Sequence, residues 1–300
     1  MALITALLVA ALGTILAVAM AHRQQVEIRR TENLIKWQQA AAFADAVADW
    51  GGVILARDGE AGSVDSLDES WASLLPPMVI EEGSLWGRIE DLQGRFNLNN
   101  LAAADAVGEA SRHRFLRLLD LLDLDYALLD AVIDWQDGDS DVAGPGGAED
   151  DFYTRLTPPY RTANRPFTEL SELRLVRGIS PEVYARLTPH LAALPPGTAL
   201  NINTAGAIVL AALSDSLDPV SAELFRDRQQ DGGFQTVEAF ASQRQFDAFP
   251  LETAGLAVSS SHFLVTAAVN INEFTLREQR WLIRSGASVY RAARRYGSFD

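Results

Sequence analysis

"MALITALLVAALGTILAVAMAHRQQVEIRRTENLIKWQQAAAFADAVADW", residues 1–50, divides into two halves that one helix can join. Residues 1–21 carry no charge. At a helical rise of about 1.5 Å per residue they span roughly 31 Å, one hydrocarbon core. A cleavable secretory signal would need a basic start, a shorter apolar run and a break after a small-residue cleavage site. Here the helical pattern simply continues. Residues 22–50 hold neither proline nor glycine, and Leu34, Trp37, Ala41, Ala44 and Ala48 recur at three-four spacing. The expectation is a single helix over 1–50, with 1–21 crossing a membrane.

Composition narrows what such a helix can carry. The chain has 300 residues, 48% of them hydrophobic, enough for more than one ordinary core. Its formal net charge is −15. Nucleic-acid binders draw most of their affinity from Lys and Arg on phosphates, so this balance opposes that class unless a local basic face exists. With no cysteine, disulfides, zinc–thiolate centres and thiol nucleophiles are excluded together. Arg23, Arg29 and Arg30 follow the apolar span and nothing basic precedes it. By the positive-inside rule the bulk of the protein would then be cytoplasmic, and a basic leader removed ahead of Met1 would reverse that reading.

Beyond Gly51-Gly52 the chain becomes loop-rich, and "GSLWGRIEDLQGRFNLNNL" (83–101) follows with a turn expected at Asp91–Gly94. In "HFLVTAAVNI" (262–271) alternate residues line one face, and "FTLREQRWLIRSG" (274–286) and "SVYRAARRYG" (288–297) read as two further strands. The residues between these β segments read as helical, which makes the fold class α+β. Within them runs a weak internal repeat. "NLNNLAAADA" (97–106), "LLDAVIDWQDGD" (128–139) and "RPFTELSEL" (165–173) are matched by "NINTAGAIVLAAL" (201–213), "LFRDRQQDGG" (224–233) and "GFQTVEAF" (233–240). The Asn and Thr side chains suit helix caps, since their oxygens accept orphan first-turn amides.

Residues 101–151 hold 13 acids against three arginines. Carboxylates this dense repel one another, and an oxygen-rich cluster suits Ca²⁺, which takes six to eight oxygens. The candidates are Asp137, Asp139, Asp141, Glu149, Asp150 and Asp151. The D-x-D-x-D start resembles an EF-hand, but Val142 stands at position six and Glu149 falls one place beyond position twelve. A solvated acidic loop stays open as the alternative. Catalysis finds no support: the four histidines are scattered and no H-E-x-x-H, G-x-S-x-G or phosphate-cradling loop occurs.

Two resemblances follow from these motifs. "NINTA" with "R-x-x-x-G-x-F" resembles helix-hairpin-helix DNA receptors, whose Gly-hydrophobic-Gly hairpin offers backbone amides to phosphate. Here "SDSLDP" (214–219) occupies that place, with two aspartates and no glycine, so the scaffold is retained and the DNA site lost. A membrane-tethered DNA receptor is the alternative function. The whole chain more closely resembles the minor pseudopilin K family of type II secretion systems (general secretion pathway protein K), through "MALITALL", "DLQGRFNLNNL", "IDWQDGDSDVAGPGGAEDDFY", "SELRLVRGI" and "LNINTA" in order.

That resemblance implies a long N-terminal helix and a pilin-like antiparallel sheet (51–100 with 255–300) interrupted by two SAM-like or helix-hairpin-helix-like modules, 101–195 and 196–254. It implies a non-enzymatic pseudopilus-tip subunit that nucleates assembly for export of folded proteins. Its partners would be minor pseudopilins I and J in a tip heterotrimer, then minor pseudopilin H and major pseudopilin G. The helix would be anchored once in the inner membrane, with the soluble part in the periplasm and no nucleic-acid ligand. Calcium in the acidic loop is implied as well. On the partner helix, Leu34, Trp37, Ala41 and Ala44 are the expected contacts. Pilin-like subunits usually carry Glu at position five, to pair with the next subunit's ammonium. Thr5 stands here, as suits a subunit with no neighbour above it.

Overall fold

The computed structural model describes residues 1–73, 77–81, 83–247 and 249–297. In chain order it contains helix α1 (Ala2–Ala61), strands β1 (Met78–Ile80), β2 (Gly83–Asp91) and β3 (Phe96–Asn97), then helices α2 (Ala106–Leu121), α3 (Ala127–Gln136), α4 (Asp150–Tyr153) and α5 (Pro181–Leu187). Strands β4 (Leu191–Ala192) and β5 (Leu200–Asn201) follow, then α6 (Ala207–Ala211), α7 (Pro219–Glu223), α8 (Arg226–Gln229) and α9 (Val237–Ala241). The chain finishes with β6 (Leu256–Ala257), β7 (His262–Ile271), β8 (Phe274–Ser285) and β9 (Ser288–Tyr296).

Helix α1 runs past the expected end at residue 50, straight through Gly51-Gly52. The reason is tertiary. Gly51 is buried where α1 meets the sheet, and a Cβ there would stand 3.1 Å from Val265 Cγ2. The glycine that reads as a breaker lets helix and sheet approach, and packing outweighs its cost of about 1 kcal/mol in helix propensity. Ala40, Ala44, Val47, Ala48 and Leu55 complete the buried face.

The sheet is antiparallel in the order β1-β2-β7-β8-β9. The three C-terminal strands stand where alternation places them. Strand β2 pairs with β7 from Gly83↔Ile271 to Asp91↔Phe263, so residues 92–261 leave and return between two hydrogen-bonded neighbours. They leave at the distal end of α1, where Asp58 and Asp65 meet Arg284 and Asp65 Oδ2 accepts the Ser260 amide at 2.7 Å. The insertion therefore sits at the opposite end of α1 from its apolar half.

The internal repeat is reproduced in three dimensions. Asn99 Oδ1 accepts from Phe167 N (2.7 Å) while its Nδ2 donates to Phe167 O (2.9 Å); Asn203 makes the same pair with Phe234 at 2.7 and 3.0 Å. Asn97 and Asn201 each accept the amide two residues on. The Asn motifs thus mostly pin a distant phenylalanine rather than cap a helix. Thr236 does cap α9 through the Ala239 amide, whereas at Thr168 it is Glu172 that accepts the local amides. Each module is closed by a short parallel bridge, β3 with β4 and β5 with β6. The modules accordingly start at Phe96 and Leu200, because the Asn-bearing strands belong to them. Each has its own apolar core, around Phe115, Trp135 and Tyr153 in the first and Phe225, Phe234 and Phe240 in the second.

Candidate metal centre and partner surface

Helix α3 ends at Gln136, and the extended Asp137 opens the acidic loop. The fold brings carboxylate oxygens of Asp137, Asp139 and Glu149 within 4.8 Å of one another. Asp139 is held by accepting the Asp141 amide at 2.8 Å. Glu149 is buried beside Thr162, whose hydroxyl donates to Oε2 at 3.4 Å. Burial first, then the charges of Asp134 and Asp137, push its carboxyl up to about 7. Burial, with neighbouring acid charge behind it, raises Asp137 as well.

Asp141, Asp150 and Asp151 do not join the group. The Asp141 side chain is exposed and only its amide serves the loop. Asp150 accepts from Thr162 N and Oγ1 and pairs with Arg161, and the exposed Asp151 faces Arg155 at 3.8 Å. One residue escaped the sequence reading. Asp134, on the last turn of α3, is fully buried; its Oδ1 accepts the Ala143 amide at 2.9 Å and its pKa is raised, chiefly by burial. Its i, i+3 spacing to Asp137 was the available signal.

Three of these oxygens, Asp134 Oδ2, Asp137 Oδ1 and Glu149 Oε1, are buried without a hydrogen-bond partner. Among the described residues no arginine or lysine pairs with any of the three carboxylates. Orphaned, mutually repelling carboxylate oxygens are the donor set of a hard divalent cation, so the residues present fit calcium.

The partner surface differs from expectation. Ala41 and Ala44 are buried in this chain's own sheet core, and the Trp37 ring lies 5.9 Å from Tyr296 at the end of β9. The three-four stripe through Trp37, Ala41, Ala44 and Ala48 is thus the face α1 turns to its own sheet. Leu34 stays exposed. Thr5 Oγ1 donates back to Ala2 O at 2.9 Å. A second apolar stripe, Ile28, Ile35, Ala42, Ala46, Trp50 and Val53, is exposed on the other side of the helix. Up to Ile35 the helix is exposed all round, and its apolar half is long and apolar enough to cross a membrane, with mean hydropathy 2.5.

A helix anchored on an interrupted sheet, carrying two modules, is also what comparison with known proteins finds. Family models described as type II secretion system (T2SS), protein K match residues 94–196 and 200–259, the segments closed by the two bridges. This chain belongs to the type II secretion system protein K family. It is 37% identical to the type II secretion system protein K of Pseudomonas aeruginosa, over 91% of this chain and 84% of that protein. With its Aeromonas hydrophila counterpart the identity is 33%, over 95% and 92%. Its fold is similar to a chain in the crystal structure of the GspK-GspI-GspJ complex from enterotoxigenic Escherichia coli, with TM-score 0.81 and 24% identity over 90% of this chain and 99% of that one. Family membership makes the chain a type II secretion minor pseudopilin.

Proposed function

We propose that this minor pseudopilin caps the pseudopilus tip, one copy per fibre, and starts assembly without elongating it. The observation that carries this reading is the insertion at the distal end of α1, at the far end from the membrane span. A fibre of parallel pilin-like helices grows by stacking subunits along that axis, and two packed modules at its end obstruct a further subunit. The span agrees with this: residues 1–26 contain no carboxylate, so none is left buried in lipid without a partner.

Minor pseudopilins I and J are the partners that pack on the outward stripe of α1, with minor pseudopilin H and major pseudopilin G below them. The span is held in the inner membrane with the modules in the periplasm, and the chain carries no enzymatic activity. Calcium, held by Asp134, Asp137, Asp139 and Glu149, neutralises the acidic loop and stiffens the first module. Gold-labelled protein should mark one end of each fibre; regular labelling along the shaft would overturn the cap.

A further inference from the structure

Helices α6 and α7 are joined by the anionic turn "SDSLDP". Its amides are spoken for from within. Ser216 N donates to Ser214 Oγ, Leu217 N to Ser214 O, and Val220 N and Ser221 N both to Asp218 Oδ1. What the turn presents outward is acceptors. The carbonyl of Ala211, last residue of α6, and the carbonyl of Leu217 each lie 3.3 Å from Arg117 Nη2, while Asp215 Oδ1 accepts from Nη1. Arg117 belongs to α2, in the other module, and its Nε is buried without a partner. Its hydrogen bonds among the described residues all end on this turn.

We propose that the α6–α7 turn is a guanidinium-binding socket, and that Arg117 fills it to set the angle between the two modules. A helix C-terminus supplies partial negative charge and free carbonyls, Asp215 supplies a full charge, and the planar guanidinium fork reaches all three acceptors together. An ammonium reaches one or two. The neighbourhood is built around the same contact. One turn earlier, Arg114 donates to Ala254 O (2.8 Å) and Glu252 O (2.6 Å), where the second module ends. Leu121, one turn later, packs against both module cores, and Ala212 is buried in the first module's core. The socket's polarity is the reverse of a phosphate site, so it also closes this turn to nucleic acid.

The test is chemical rescue in the full-length protein in detergent micelles, read by hydrogen exchange over residues 206–218. Arg117→Ala should speed exchange there about tenfold while the sheet amides keep their protection. Millimolar methylguanidinium should restore protection, methylammonium at equal concentration should not, and Asp215→Asn on the Arg117→Ala background should abolish the rescue. Arg117→Lys, which keeps the charge and most of the stem, should recover only part of the protection and serves as the folding control. Unchanged exchange in Arg117→Ala, or equal restoration by methylammonium, overturns the socket. So does Arg117→Lys matching the wild type.

Discussion

Asp134 and Asp137, three residues apart at the end of α3, each keep a buried carboxylate oxygen without a hydrogen-bond partner, and Glu149 adds a third from across the loop. Buried acceptors in that state cost stability until something positive meets them. A cation that binds only the folded loop must therefore raise its melting temperature. At calcium a hundred times its dissociation constant the gain is about 2.7 kcal/mol. That corresponds to a rise of roughly 5–10 °C in calorimetry, reversed by chelator. Asp137→Ala with Glu149→Ala should abolish the response, whereas Asp151→Ala, at an exposed residue outside the cluster, should leave it. A melting curve indifferent to chelator after confirmed metal removal would sink the site.

The two faces of α1 separate folding from assembly. Ala44→Asp introduces a charge into the sheet core, an uncompensated burial costing several kcal/mol, and should unfold the pilin-like part. Ala42→Asp with Ala46→Asp, on the exposed stripe, should change stability by no more than about 0.5 kcal/mol per site while abolishing co-purification with minor pseudopilins I and J. Retention of the complex by that pair would show that another surface binds them.

Adjacent glycines in α1 should respond with opposite signs. At Gly52 an added Cβ would meet only Val289, at 3.8 Å, so Gly52→Ala should raise the unfolding free energy by about 1 kcal/mol through helix propensity. At Gly51 the space is taken by Val265 and Ile89, and Gly51→Val should lower it by about 1–3 kcal/mol. Denaturant titration of the two variants reads the difference directly. Equal effects would mean that helix and sheet do not approach closely at Gly51.

Acid should stabilise the junction between sheet and insertion. Burial pushes Glu69 up to about 7, and burial pushes Asp91 up to about 6 although Ser260, Thr204 and Gln93 donate to it. Both folded pKa values are raised, so the stability these groups contribute is full below their unfolded values near 4.5 and 3.8 and is lost as pH rises through 7 and 6. The denaturation midpoint should climb between pH 7.5 and 5. Glu69→Gln can still accept from Trp71 Nε1 and the Ser66 amide, and should flatten the upper part of that slope. An unchanged pH profile in the variant would remove Glu69 from the account.

Local chemistry made much of this molecule legible. Twenty-one uncharged residues at the start require an apolar partner whatever the rest of the chain does. Strict alternation from Phe263 to Ile271 leaves one way to bury those side chains, and β7 takes it. The paired Asn motifs and the carboxylates of Asp137, Asp139 and Glu149 were likewise readable in sequence, because side-chain type and short spacing already constrain what they can bond.

Longer-range choices were not readable. Helix α1 has apolar residues on two sides, and the sheet decides which side it buries. It takes Ala41 and Ala44 and leaves Ala42 and Ala46 for a partner, because Val265 and Ile89 stand opposite Gly51. Nothing near Asp91 announces that its strand will pair with one beginning at His262, or that the excursion between them leaves at the distal end of the helix. Asp134 reads as an ordinary helical acid until the loop folds back and buries it, and Arg117 as a solvated one until the second module brings its carbonyls within reach. Periodicity along a chain reports what each segment must hide. What hides it is settled only when strands and modules remote in sequence compete for the same apolar and polar surfaces.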